Sequence, residues 1–124
     1  MTLKTKEYGE KAEDIAAKYL EKSGYEIIEK NFTTKLGEID IIAKDNDTLV
    51  FVEVKARTSL KFGLPEHSIT YTKQRKISKV ALLYLKARKQ ITKNKKARFD
   101  VVSILTGKEF KIRLIKNAFP LSYR

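Results

Sequence analysis

GEIDIIAKDNDTLVFVEVKAR, residues 37–57, reads as a β-hairpin that carries charge where a strand should be apolar. Strand side chains alternate with period two, so Leu36, Glu38, Asp40 and Ile42 share one face of the first arm, and Gly37, Ile39, Ile41 and Ala43 the other. On the second arm Leu49, Phe51, Glu53 and Lys55 share a face. Asp45-Asn46-Asp47 supplies turn residues that bond their own backbone and tolerate tight geometry. A two-residue turn at Asn46-Asp47 sets Asp45 against Thr48. Continuing that register places Asp40 across from Glu53 and Glu38 across from Lys55.

Such a gathering of acids needs a cause. Like charges directly opposed on a half-buried sheet cost about 0.2 to 1 kcal/mol per pair before desolvation is counted. A divalent cation removes the objection: hard ions such as Mg²⁺ or Mn²⁺ take carboxylate and carbonyl oxygens and leave room for water and a phosphate. Lys55, two residues after Glu53 and on its face, is placed to orient an attacking water or to offset charge developing on the phosphate. The pattern points to metal-dependent phosphodiester hydrolysis.

Working outward, the chain has 124 residues, the size of one domain. It is 42% hydrophobic and 34% charged, a globular balance, and no run approaches the ~20 apolar residues of a membrane helix. The opening MTLKTKEYGEKAED lacks the apolar stretch of a secretion signal, so a cytoplasmic protein with no membrane partner is expected. The absence of cysteine excludes disulfides, thiol catalysis, zinc fingers and iron–sulfur clusters. A net charge of +12 favours a polyanionic partner, for which nucleic acid is the commonest choice. Carboxylates clustered on so basic a chain need a local purpose.

Before the hairpin, Ala12, Ile15, Ala16, Tyr19 and Leu20 follow a helical stripe over about 5–23, stopped by Gly24, with Glu13 at the edge of the stripe. Tyr25 to Phe32 reads as the first strand. After the hairpin, Ala56 to Tyr71 is a connector with Gly63, Pro65 and His67, the last read as a solvated loop histidine. Arg57 and Lys61 are placed to reach phosphates beside the acids. Thr72 is the expected N-cap of a second helix over about 73–89, buried through Ile77, Val80, Ala81, Tyr84 and Leu85. Lys73 extends that stripe toward the sheet as a phosphate contact, with Gln74 a lesser candidate; Arg75, Lys76 and Lys79 point outward to a nucleic-acid backbone. The basic run from Lys86 to Arg98 is a second candidate phosphate surface. Phe99 to Leu105 and Glu109 to Ile115 are the last two strands. Asp100 is an acid out of place in the first of them; the tail NAFPLSYR is expected to pack down, with Pro120 stopping any further pairing.

Asp40 followed after twelve residues by Glu53-Val54-Lys55 resembles the D…(D/E)xK signature of the PD-(D/E)xK nuclease superfamily, with Ile39 where the superfamily label has proline. Over nearly its full length the chain also resembles the YraN family of small bacterial proteins. The matching pieces are GEKAEDIAAKYLEKSGYEIIEKNF, GEIDIIAKD, LVFVEVKART, FGLP, the helix from Lys73 with Ala81 and Tyr84-Leu85, ARFDVVSI and NAF. The resemblance implies a nuclease-like α/β fold also seen in archaeal Holliday-junction resolvases. It further implies Asp40 and Glu53 as metal ligands, Lys55 as the catalytic lysine and Glu13 as a helix-borne acid beside the metal.

The expectation is a single α/β domain spanning 1–124. Its restriction-endonuclease-like core is a mixed five-stranded sheet flanked by helices in the order α-β-β-β-α-β-β. Function is read as a Mg²⁺- or Mn²⁺-dependent endonuclease acting on DNA, including branched or damaged DNA. In it Asp40, Glu53, the Val54 carbonyl and Glu13 hold the metal, and Glu38 is a further supporting acid. The rival reading is a non-catalytic nucleic-acid-binding or adaptor protein on the same scaffold. Edge strands and charge also permit a homodimer.

Overall fold

The computed structural model describes residues 5–61, 63–88 and 96–120. Helix α1 (Thr5–Lys22) leads into the strands β1 (Glu26–Thr34), β2 (Gly37–Asp45) and β3 (Thr48–Arg57). A short 3-10 helix (Pro65–Ser68) precedes helix α2 (Tyr71–Ala87), and β4 (Lys96–Leu105) and β5 (Lys111–Phe119) complete the chain. The sheet order is β1-β2-β3-β4-β5. β3 and β4 run parallel and every other pair is antiparallel, so the sheet is mixed, as the element order predicts. No helix among the described residues is long and apolar enough to cross a membrane.

Each face of the sheet is covered by one helix, which is why the central strands are apolar on both sides. Ala12, Ala16, Ala17 and Leu20 of α1 pack on Ile41, Ala43, Val50, Val52, Val102 and Ile104. On the other face Ile77, Val80, Ala81 and Tyr84 of α2 pack on Ile39, Ile42, Leu49, Phe51, Phe99 and Val101. Phe119 stacks on Phe99 at 4.8 Å between centroids, so the segment before Pro120 folds down onto the core.

Local chemistry sets the element ends. Gly24, with φ +95°, closes α1, and the Tyr25 amide donates to the Leu20 carbonyl at 2.9 Å. The hairpin turn falls where the sequence places it, with Asp45 opposite Thr48 and Asn46 in the left-handed region. The N-cap of α2 is Thr70 instead of Thr72: its hydroxyl accepts from the Lys73 amide, and Thr72 lies inside the first turn. β3 runs on to Arg57, beyond the boundary read at Ala56, because parallel pairing with β4 carries it to Leu105. A side chain at Gly107 would collide with the Thr58 backbone carbonyl, which fixes glycine where the β4–β5 turn passes the end of β3. Arg113 donates to Glu66 at 2.8 Å and fastens the 3-10 helix to β5.

The alternation expected along β2 fails at one point. Ile41 and Ala43 face α1, but Ile39 faces α2, together with Ile42. The same change occurs in β1 at the same level. Lys30 pairs with Ile41 and reaches Asp14 of α1, whereas Phe32 pairs with Ile39 and packs under Tyr84 of α2. Between them Asn31, with φ 56°, sits level with Asp40. A left-handed residue in one strand turns the following side chain to the opposite face, and the neighbouring strand follows. The grouping of Ile39 with Ile41 is corrected accordingly.

Candidate metal centre and nucleic-acid cleft

The β2–β3 ladder runs from Asp45↔Thr48 to Ile41↔Val52 and ends there. The expected cross-strand pairs Asp40 with Glu53 and Glu38 with Lys55 are therefore not ladder pairs. In their place the Asp40 carboxylate takes over the backbone's role, Oδ2 accepting from the Val54 amide at 2.8 Å. N–H and C=O of one strand residue point to the same edge, so the Val54 carbonyl also faces this opening. The strands part where the acids stand.

Three elements deliver acids into the opening. Carboxylate oxygens of Glu13 from α1 and of Glu38 and Asp40 from β2 all lie within 4.8 Å of one another. Glu53 meets Asp40 from β3. A cleft of about 340 Å³ opens here, lined by Gly37, Glu38, Asp40, Glu53, Lys73, Lys76 and Ile77. The first turns of α2 thus form its basic wall and the hairpin its acidic floor.

Burial and mutual repulsion act on the acids of this cluster. Burial, and then the charges of Asp40 and Glu38, push the Glu13 carboxyl up to about 7. Glu53 is raised further, first by burial and then by its hydrogen bond and charge contact with Asp40. Lys55 is lowered by burial and by Lys73 beside it, while Glu53 and Asp40 pull the other way. The two lysines thus converge beside the acids. An all-oxygen donor set whose carboxyls are raised by burial and by one another fits a hard divalent cation, which binds carboxylates in competition with protons.

The other expected contact residues divide. Lys73 and Lys76 line the cleft. Gln74 turns away, its Nε2 donating to the Ile69 carbonyl at 3.2 Å, and so braces the entry to α2. Arg75 is half-buried with its Nε enclosed, contrary to the outward position expected for it. Lys79 and Lys61 are exposed, and Arg57 ends β3 with its carbonyl accepting from the Thr106 amide. His67 is exposed on the 3-10 helix. Of the basic run, 89–95 lies outside the described residues, and Arg98 is engaged elsewhere in a buried network.

Sequence reasoning passed over Asn31. The Asn31 amide satisfies its surroundings with the nitrogen turned toward the acids, at 2.6 and 3.1 Å from the Glu13 carboxylate oxygens and 3.1 Å from Glu38 Oε1. A signal was present: asparagine is poor in strands and tolerates the left-handed region, so its place in YEIIEKNF marks an irregularity.

A model of a protein family described as "Uncharacterised protein family UPF0102" matches residues 12–104. Over 116 residues the chain is 50% identical to a UPF0102 protein of Syntrophus aciditrophicus, covering 93% of this chain and 90% of that one. A UPF0102 protein of Geobacter metallireducens is 48% identical over 124 residues, covering 99% of this chain and all of its own. A third, from Caldicellulosiruptor saccharolyticus, is 50% identical over 117 residues, covering 92% and 98%.

Proposed function

The chain belongs to the uncharacterised protein family UPF0102, and we propose that it is a Mg²⁺- or Mn²⁺-dependent endonuclease of the PD-(D/E)xK type that hydrolyses phosphodiester bonds in DNA. One observation carries the reading. Asp40 and Glu53, from two strands that part between them, and Lys73 of α2 line one open cleft, with Glu13 of α1 beside Asp40 and Lys55 beside Glu53 and Lys73.

Asp40, Glu53, the Val54 carbonyl and Glu13 are the residues to hold the cation, with Glu38 as a further donor. When bound, a divalent ion of this kind lowers the pKa of a coordinated water and draws charge from a phosphoryl oxygen. The protein's own part is positional. The Val54 amide fixes the Asp40 carboxylate in one orientation. Lys55, its ammonium drawn down in pKa by burial and by Lys73 beside it, orients the attacking water and faces the charge that develops on the phosphate. Lys73 and Lys76 hold the flanking phosphates on the cleft wall.

The test is cleavage of labelled single-stranded, duplex, flap and four-way-junction DNA in Mg²⁺ and Mn²⁺, comparing wild type with Glu53→Gln and Lys55→Ala. The expected result is cutting by wild type and a loss of about 10²- to 10³-fold in each variant with DNA binding retained. DNA binding without cutting, indifferent to both substitutions, overturns the reading in favour of a non-catalytic binding protein, for which the net charge of +12 already argues.

A further inference from the structure

We infer that Asn31 is a positioning residue for the metal centre, acting through the carboxylate of Glu13. The inference rests on the metal-dependent reading above and adds a residue to it. Two independent observations meet at this position.

The first is the backbone. Asn31 lies in the left-handed region at φ 56°, and the strands change face on either side of it, Lys30 toward α1 and Phe32 toward α2. That change leaves Asn31 standing level with Asp40, beside the end of the ladder where the cleft opens. The second is the side chain. With its amide assigned so that a donor and not an acceptor faces the acids, Nδ2 bridges Glu13 and Glu38, at 2.6 and 3.1 Å from the Glu13 oxygens and 3.1 Å from one Glu38 oxygen. It is a neutral donor set between two acids whose carboxylate oxygens lie within 4.8 Å of each other and of Asp40.

Glu13 rides on a helix, and a glutamate has rotamer freedom that a cation must freeze. A donor on the sheet that already fixes the carboxylate lowers that ordering cost. Partners of this kind, which bind the ligand and not the ion, typically set metal affinity by 10- to 100-fold. The single amide leaves the remaining lone pairs of both carboxylates open, so holding them and offering them to a cation are compatible.

The experiment measures Mn²⁺ affinity of the full chain by isothermal titration calorimetry for wild type, Asn31→Gly, Glu13→Gln and the double variant. Glycine keeps the left-handed backbone and removes only the amide. Asn31→Gly is expected to weaken Mn²⁺ binding by about 10- to 100-fold, and to add less than about twofold once Glu13 is glutamine. Equal affinity of wild type and Asn31→Gly overturns this inference alone and leaves the endonuclease reading standing. An Asn31→Gly loss that is undiminished beside Glu13→Gln also overturns it, by assigning the effect to the strand and not to Glu13. A wild type that takes up no Mn²⁺ overturns the metal reading and this inference together.

Discussion

The Val54 amide donates to Asp40 Oδ2 at 2.8 Å across the point where β2 and β3 separate, so one carboxylate both ends the ladder and opens the candidate metal centre. Asp40→Asn separates these roles. The amide oxygen still accepts from Val54, while the charge facing Glu13, Glu38 and Glu53 is gone. Folding stability should stay within about 1 kcal/mol of wild type, or rise as repulsion is relieved, while Mn²⁺ binding is lost. Urea unfolding and a Mn²⁺ titration on the same preparation check both halves. A variant that unfolds in proportion to its loss of metal would make Asp40 structural.

Protonation of the acids gives a second prediction. The folded-state pKa of Glu13 is raised from 4.5 to about 7, and that of Glu53 is raised as well, so between the unfolded and folded values the folded chain binds more protons than the unfolded one. Stability of the metal-free protein is then fully present below the ordinary glutamate value and is lost as pH rises through the folded values. Melting in a chelator should fall from about pH 5 to about pH 9, with a smaller slope in Glu13→Gln and Glu53→Gln. Excess Mn²⁺ should flatten the wild-type curve by replacing the protons. A metal-free wild type whose melting does not change over this range would contradict it.

The hairpin shows what a sequence makes legible. Its turn, its register from Asp45 to Ile41, and the alternation that turns Phe51, Glu53 and Lys55 toward α2 all follow from local period and turn chemistry. Family membership was equally readable from the quoted segments. The face change at Asn31 was not, because a left-handed residue in a strand is allowed by sequence and chosen by tertiary packing. Thr70 and Thr72 are equally good caps by type; only the helix's docking on the sheet selects Thr70. Asp100 remained unexplained for a similar reason: two of its three partners, Tyr25 and the Asn117 backbone, lie 75 and 17 residues away in sequence.

Those partners make the third prediction. Asp100 is fully buried, and its carboxylate accepts from the Tyr25 hydroxyl at 2.7 Å, Arg98 Nε at 2.9 Å and the Asn117 amide at 2.9 Å. Arg98 continues to Asp45 at 2.7 Å, beside the hairpin turn and at the opposite end of β2 from Asp40. Asp100→Ala strands a hydroxyl, an amide and part of a guanidinium, and should cost about 3 to 5 kcal/mol. Mn²⁺ affinity of the fraction that stays folded should be unchanged. Denaturant midpoints together with a Mn²⁺ titration decide; a metal defect out of line with the folded fraction would tie the two ends of the sheet together.

The cleft wall gives the last. Lys73 and Lys76 line the opening from the first turns of α2, whereas Gln74 between them bonds the Ile69 carbonyl and faces elsewhere. If the two lysines each neutralise one phosphate of bound duplex, each releases one set of counterions. Logarithmic plots of affinity against salt should then become shallower by about 0.9 for either alanine variant and by about twice that for both. Gln74→Ala should leave the slope alone, and so should Glu53→Gln, since neither bears a positive charge toward the strand. Fluorescence anisotropy of labelled duplex over a salt series, in chelator to prevent cutting, reads the slopes directly. Slopes that ignore Lys73 and Lys76 while remaining steep would move the DNA path off this cleft to another basic surface of the protein, and the acids would no longer lie beneath the bound phosphate.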